Sequence, residues 1–317
     1  MTRLLNRFFF VLCCFCALST NVLATVPHVT VTLKPIHSLV ASVMEGIGEP
    51  TLILPDGASP HTFMLKPSTL KTLAGADLII WVGPSLETFM VKPLSSLKPQ
   101  YGFIEIDKLD NIIKLPLREG REWEHHDAED SHEHDHHHDH GDFDPHLWLS
   151  INNAKAIVTT TANRLAQIDP QNAKQYQANA QKTLQQLQAL KKTLQAQLAN
   201  VQSEPFLVYH DGYQYFEKEF DLHGAGTMVL NPHLPLSANG LAHIKALIQD
   251  RGVKCVFKET EFSEKMIENS LGALPIQIRE LDPLGVHFSK GPKLYEQTLL
   301  QIGNTMQECL SSKNTYK

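Results

Sequence analysis

The chain has 317 residues, 42% of them hydrophobic, with 28 Lys and Arg against 34 Asp and Glu for a formal net charge of -6. That length is too great for one small core and suits two domains. No basic run or basic face is present, so nothing supports a nucleic-acid partner, and no apolar run is long enough to span a bilayer.

Arg3 and Arg7 precede a short apolar run from Phe8 to Leu18, and small residues follow at Val22-Leu23-Ala24. This is the pattern of a cleaved signal peptide, residues 1–24, and predicts a soluble periplasmic chain beginning near Thr25. An uncleaved anchor is the alternative, but the run is too short for it. Cys13, Cys14 and Cys16 sit inside that run without the small residues that precede a lipid-modified cysteine. Only Cys255 and Cys309 remain in the mature chain, and in an exported protein the pair reads most simply as one disulfide, against two separate buried thiols. On the chain-entropy view such a closure contributes about 4 kcal/mol.

From Val29 short apolar runs alternate with helix-like stretches, which predicts an α/β fold of two βα sandwich lobes with mainly parallel sheets. The predicted strands are Val29 to Leu33, Thr51 to Leu54, Leu78 to Val82 and Phe103 to Ile106, then Phe206 to Tyr209, Cys255 to Lys258 and Pro275 to Leu281. Leu39 to Gly46, Pro67 to Ala74 and Leu241 to Asp250 carry helical spacing. Between the halves Pro170 to Val201 holds no internal Gly or Pro and predicts one long backbone helix, with Asp169 capping it and Tyr176, Leu184, Leu187, Leu190, Leu194 and Leu198 on one side. At about 30 residues it would run roughly 45 Å and join the lobes with limited freedom to close. The predicted division is an N-terminal lobe over 25–168, a linking helix over 169–201 and a C-terminal lobe over 202–317.

Within the first lobe lies a loop over 121–142 rich in His, Asp and Glu. Glu122 to Asp142 holds nine acidic residues and no Lys or Arg, interleaved with His125, His126, His132, His134, His136, His137, His138 and His140. Imidazole and carboxylate are both zinc ligands, so the loop predicts several weak, shifting metal-collecting sites, and its lack of apolar content predicts disorder. A solvated loop with no role is the plainer reading.

Three histidines stand apart from it. His61 follows the strand Leu52 to Leu54, His210 follows Leu207 to Tyr209, and His146 lies in Asp144-Pro145-His146-Leu147-Trp148 at the loop's exit. Ligands of open α/β sheets bind at strand carboxyl ends, where two of the three sit. Any one alone is more often a structural residue. Their wide separation excludes a finger-type motif and requires a site between two lobes. His37 is a candidate near the cleft or a helix-terminal polar residue; His28, His223, His233, His243 and His287 carry no spacing that singles them out.

Gly57 to His61 with Leu65-Lys66-Pro67-Ser68, Trp81-Val82-Gly83-Pro84, the loop leading into His146-Leu147-Trp148-Leu149-Ser150, His210-Asp211-Gly212-Tyr213 with Tyr215-Phe216, and Leu281-Asp282-Pro283-Leu284-Gly285 together resemble the ZnuA family of zinc-specific periplasmic binding proteins of ABC transporters. The resemblance covers essentially the whole mature chain, including Cys255 and Cys309. It implies two α/β lobes, a linking backbone helix, and a zinc site in the cleft formed by His61, His146 and His210. It further implies that the chain captures Zn2+ as transported ligand and delivers it to a membrane permease with its cytoplasmic ATPase, as a monomer and not as an enzyme. Some members carry a glutamate directly before the first ligand; here Pro60 stands there, which leaves Asp282 or water for the fourth position, Asp282 otherwise being a turn former before Pro283.

A nitrogen-rich donor set suits zinc, whereas manganese prefers carboxylate and water oxygen, and related manganese binders carry a carboxylate where His210 stands. The alternatives are capture of manganese, a zinc hydrolase or hydratase, and a periplasmic zinc buffer or metal-dependent adhesin. No His-Glu-x-x-His helix or Gly-x-Ser-x-Gly elbow supports the enzyme.

Overall fold

A computed structural model describes residues 26–123, 143–229 and 236–312. The predicted signal peptide and all eight histidines of the loop lie outside the described residues.

In the first lobe the chain forms β1 (Val29–Val31), α1 (Lys34–Val43), β2 (Thr51–Leu52), α2 (Pro67–Ala74), β3 (Leu78–Trp81), α3 (Thr88–Ser96) and β4 (Phe103–Glu105). All pairings are parallel, in the order β2-β1-β3-β4. Every residue of β1 and β3 is buried, as a parallel sheet covered on both faces requires, and this is why β3 reads as an unbroken apolar run and β1 as one broken only by Thr30. Helix α1 starts five residues before the predicted Leu39, with Pro35 in its first turn, and all ten of its residues are buried.

Two helices then lead to the second lobe: α4 (Ile151–Ile168) and α5 (Ala173–Leu198). The predicted spine is thus 26 residues, about 39 Å, and it is braced by α4 packed along it. Asp169 does not cap α5. It ends α4, and its Oδ2 accepts from the Tyr176 hydroxyl at 2.9 Å and from Asn172 Nδ2 at 2.7 Å. Tyr176, Leu187, Leu190, Leu194 and Leu198 are buried, and Leu184 is half-buried at the edge of the same cluster.

The second lobe contains β5 (Phe206–His210), α6 (Gln214–Phe220), β6 (Gly224–Val229), α7 (Ala238–Arg251), β7 (Cys255–Glu259), α8 (Glu264–Leu271), β8 (Gln277–Leu281) and α9 (Leu294–Leu310). Its sheet is again parallel, in the order β6-β5-β7-β8. Strand β6 has no counterpart in the predicted strands, because Gly224 and Gly226 remove the β-branched signal expected of a strand. Cys255 of β7 and Cys309 of α9 form a disulfide across 54 residues and fasten the last helix to the sheet.

One buried cluster runs from Val29 and Ile80 of the first sheet through α4 and α5 to Phe206, Tyr295 and Leu310 in the second lobe. Hydrogen bonds cross with it: Ser38 Oγ donates to Gly291 O at 2.7 Å and Trp148 Nε1 to Pro283 O at 2.9 Å. Among the described residues no helix is long and apolar enough to cross a membrane.

Candidate metal centre

The three histidines set apart in the sequence are brought together from three different elements. His61 lies in the turn after β2, where Phe63 N bonds back to Ser59 O at 3.0 Å and the Phe63 ring packs edge-on to Phe89 at 5.2 Å, fixing the turn to the layer of α3. His146 opens a short 3₁₀ turn, Leu147–Leu149, whose side chains are all buried. His210 is the last residue of β5.

Their rings form a near-equilateral triangle, with centroids 5.4 Å (His61 to His146), 5.4 Å (His61 to His210) and 5.0 Å (His146 to His210) apart. One ring nitrogen from each lies within 4.8 Å of the others. Zinc–nitrogen bonds of about 2.0 to 2.1 Å in a tetrahedron demand nitrogens about 3.4 Å apart, so a small inward movement suffices to wrap an ion. His146 is buried, and His61 and His210 are half-buried, so the triangle is partly accessible to solvent.

Two carboxylates orient the rings. Asp144 Oδ1 lies 2.7 Å from His146 Nδ1 and also accepts from the His146 backbone N at 2.9 Å. Glu259, the last residue of β7, lies 3.2 Å from His210 Nδ1 through Oε1. A proton held on each Nδ1 leaves the Nε2 lone pairs free to face a metal, and a carboxylate behind an imidazole raises its basicity. The second oxygen of each, Asp144 Oδ2 and Glu259 Oε2, is buried without a hydrogen-bond partner. Burial opposes protonation of His210, but the hydrogen bond and charge of Glu259, with Asp211 and Asp144 behind it, outweigh burial and hold its pKa above the ordinary value. Two negative charges behind three neutral imidazoles match the double charge of a divalent ion.

Gly212 completes the cradle. A Cβ there would stand 3.1 Å from His210 Cε1 and 3.3 Å from both His210 Nδ1 and His146 Nε2, so any larger residue presses on both rings.

Asp282 stands outside the group whose ligand atoms lie within 4.8 Å of one another. It is buried after β8, its Oδ2 accepting from His287 N at 3.0 Å and its Oδ1 without a partner. His37 is also elsewhere, buried in α1 with Nε2 against Pro50 O at 2.8 Å, and burial lowers its pKa. His28 pairs with Asp77 and His287 with Glu280. The sequence reading missed Asp144, Glu259 and Gly212. An acid two residues before a candidate ligand was a usable signal for Asp144; Glu259 had none, since only the register of β5 and β7 brings it beside His210.

The family described as Zinc-uptake complex component A periplasmic, ZnuA, matches residues 29–309. A high-affinity zinc uptake system protein ZnuA of Brucella suis biovar 1 is 36% identical over 305 residues, covering 89% of this chain and 91% of that one. The protein of the same name from Yersinia pestis is 32% identical over 295 residues, with 89% and 91% covered. A crystal structure of ZnuA, 23% identical, superposes with a TM-score of 0.74 over 90% of this chain and 99% of the other, which establishes the shared two-lobe fold. With the family's match spanning nearly all of the described fold and the three converging histidines inside it, the chain belongs to the ZnuA family of zinc-uptake components.

Proposed function

We propose that this chain captures Zn2+ in the periplasm at His61, His146 and His210 and delivers it, as a monomer, to a membrane permease driven by a cytoplasmic ATPase. The observation that carries this reading is the convergence of three imidazole nitrogens within 4.8 Å at the junction of the lobes, two of the rings oriented by carboxylates. An all-nitrogen donor set favours zinc over manganese. Relatives that share about a third of their residues with this chain carry the name of zinc uptake proteins.

The donor set is completed by water or by Asp282; with Asp144 and Glu259 already supplying charge behind the rings, water is the simpler fourth ligand and Asp282 contributes through space. The chain works as a carrier and not as an enzyme: the relatives it matches are named zinc uptake proteins, and Asp144 and Glu259 each engage an imidazole of the triangle through one oxygen. The functional units are the lobes over 25–168 and 202–317 with the connection over 169–201, and the histidines of 121–142 gather zinc weakly and raise its concentration near the cleft.

Competition titration of metal-free protein against a zinc chelator tests the reading. One tight equivalent is expected, lost when His210 is replaced by Ala while the fold persists. Undiminished affinity in that variant would sink the ligand assignment, and comparable turnover of carbon dioxide or simple esters would replace the carrier with a hydratase or hydrolase.

A further inference from the structure

The chain crosses between the lobes at a place its sequence does not advertise. Residues 115–123 belong to the first half of the chain but lie against the second lobe. Leu115 N donates to the Tyr215 hydroxyl at 3.0 Å. Arg121 to Trp123 adds an antiparallel segment to the edge of β6, through Thr227 N to Arg121 O at 2.8 Å and Trp123 N to Ala225 O at 3.0 Å. The two glycines of β6 make this approach possible: a Cβ on Gly226 would fall 2.0 Å from Arg121 O, and one on Gly224 would fall 2.9 Å from the Trp123 ring.

From this strap Arg118 reaches toward the metal centre. Its Nε donates to Asp211 Oδ2 at 3.1 Å and its Nη2 to Asp211 Oδ1, while Nη1 donates to Glu217 Oε2 at 2.7 Å and Nη2 to Glu217 Oε1 at 3.1 Å. The guanidinium carbon sits 3.3 Å from the centroid of the Trp123 ring, which screens it from water. Arg118 and Glu217 side chains are 17% and 5% exposed. Asp211 immediately follows His210, and Gly212 lies against the metal-facing nitrogen of His146. One guanidinium therefore grips both a buried acid of α6 and the turn that carries a histidine of the triangle.

We propose that Arg118 is a positioning residue for metal capture: through Asp211 it holds the turn of His210 to Gly212 where His210 can meet His61 and His146. The proposal rests on the zinc-capture reading above. Without a cation between them, Asp211 and Glu217 would oppose each other in a site of low water content, and the partly exposed Asp211 is the partner free to swing outward, taking His210 with it. Only the planar fork of arginine can satisfy both carboxylates in this arrangement; the ammonium of lysine offers no paired geometry.

The test uses the full chain as wild type, Arg118→Lys, Arg118→Ala and Glu217→Gln. Zinc affinity is read by competition titration, ligand geometry by the visible absorption of the cobalt(II)-loaded protein, and folding by circular dichroism. Arg118→Lys is expected to fold, to bind zinc about tenfold to a hundredfold more weakly, and to alter the cobalt bands, with Arg118→Ala at least as affected where it folds. Glu217→Gln keeps the grip on Asp211 and is expected to bind zinc as the wild type does. Wild-type affinity and cobalt bands in Arg118→Lys would overturn the proposal, as would an equal loss in Glu217→Gln, which would trace the effect to general loosening of the lobe. A wild-type chain lacking a one-to-one zinc site would overturn the capture reading together with this one, whereas failure of Arg118→Lys to change a normal site overturns this one alone.

Discussion

The two sheets share one strand order, so each has a point where the chain turns from one side to the other: between β1 and β3 in the first lobe, between β5 and β7 in the second. The second is partly open, with His210 half-buried and paired with Glu259 across it. The first is sealed. There Glu87 is fully buried and its Oε2 accepts from Val82 N at 2.7 Å and Gly83 N at 3.2 Å, with Asp107 buried beside it. Burial, opposed by the hydrogen bonds and reinforced by Asp107, pushes Glu87 up to about 7; burial and then Glu105 push Asp107 up to about 6. The same architectural position thus carries a buried pair of acids with raised pKa values in one lobe and a histidine of the candidate metal centre in the other. What separates them is the surroundings given to the carboxylate: burial and a second acid favour a proton on Glu87 against the pull of the backbone amides, whereas an imidazole beside Glu259 leaves the charge available to a metal.

Breaking the open end should have the largest effect. His210→Ala removes a donor nitrogen and is expected to weaken zinc binding by several orders of magnitude in competition titration, with the circular dichroism spectrum unchanged. Glu259→Gln keeps a hydrogen-bonding group behind His210 but removes its charge, and a loss of about tenfold to a hundredfold is expected by the same titration. Asp144→Asn should behave alike, and wild-type affinity in both would refute the charge-balancing role of these acids.

Gly212→Ala changes the shape of the centre without changing its charge. The added methyl presses on His146 Nε2 and His210 without touching any charge, so a smaller loss of about tenfold is expected, accompanied by altered cobalt absorption. An unchanged spectrum would mean that the turn yields freely.

The closed end should leave zinc affinity alone and reveal itself in stability. Because the pKa of Glu87 is raised on folding from 4.5 to about 7, the folded protein holds that proton where the unfolded chain releases it. Its contribution is fully present below pH 4.5 and is lost as pH rises through 7, a change of about 3 kcal/mol. Glu87→Gln removes this dependence, so denaturant titrations of the metal-free variant should show a smaller fall in stability between pH 5 and pH 8 than the wild type. An identical fall would show that Glu87 is not the group responsible.

The parallel sheets were legible because β1, β3, β5 and β7 are largely buried on both faces and so show short runs of apolar residues, such as Leu78–Trp81 and Phe206 to Tyr209. His61, His146 and His210 could be singled out from their motifs, and the structure brings the three rings together, though nothing in their spacing reported how close they lie. What escaped was set by packing between distant segments. Strand β6 was hidden by glycines that are there to admit Arg121 and Trp123, and those residues border so polar a loop that the strap looks like part of it. Asp169 was assigned to the wrong helix because a side chain that caps one helix and ends another carries the same local signature.

X-ray absorption at the zinc edge of protein loaded with one equivalent reads the ligand set of the bound ion itself. Three imidazole nitrogens and one further light donor at about 2.0 to 2.1 Å are expected, with one imidazole lost in His210→Ala. A shell dominated by carboxylate oxygen, or an unchanged imidazole count in that variant, would contradict the three-histidine assignment.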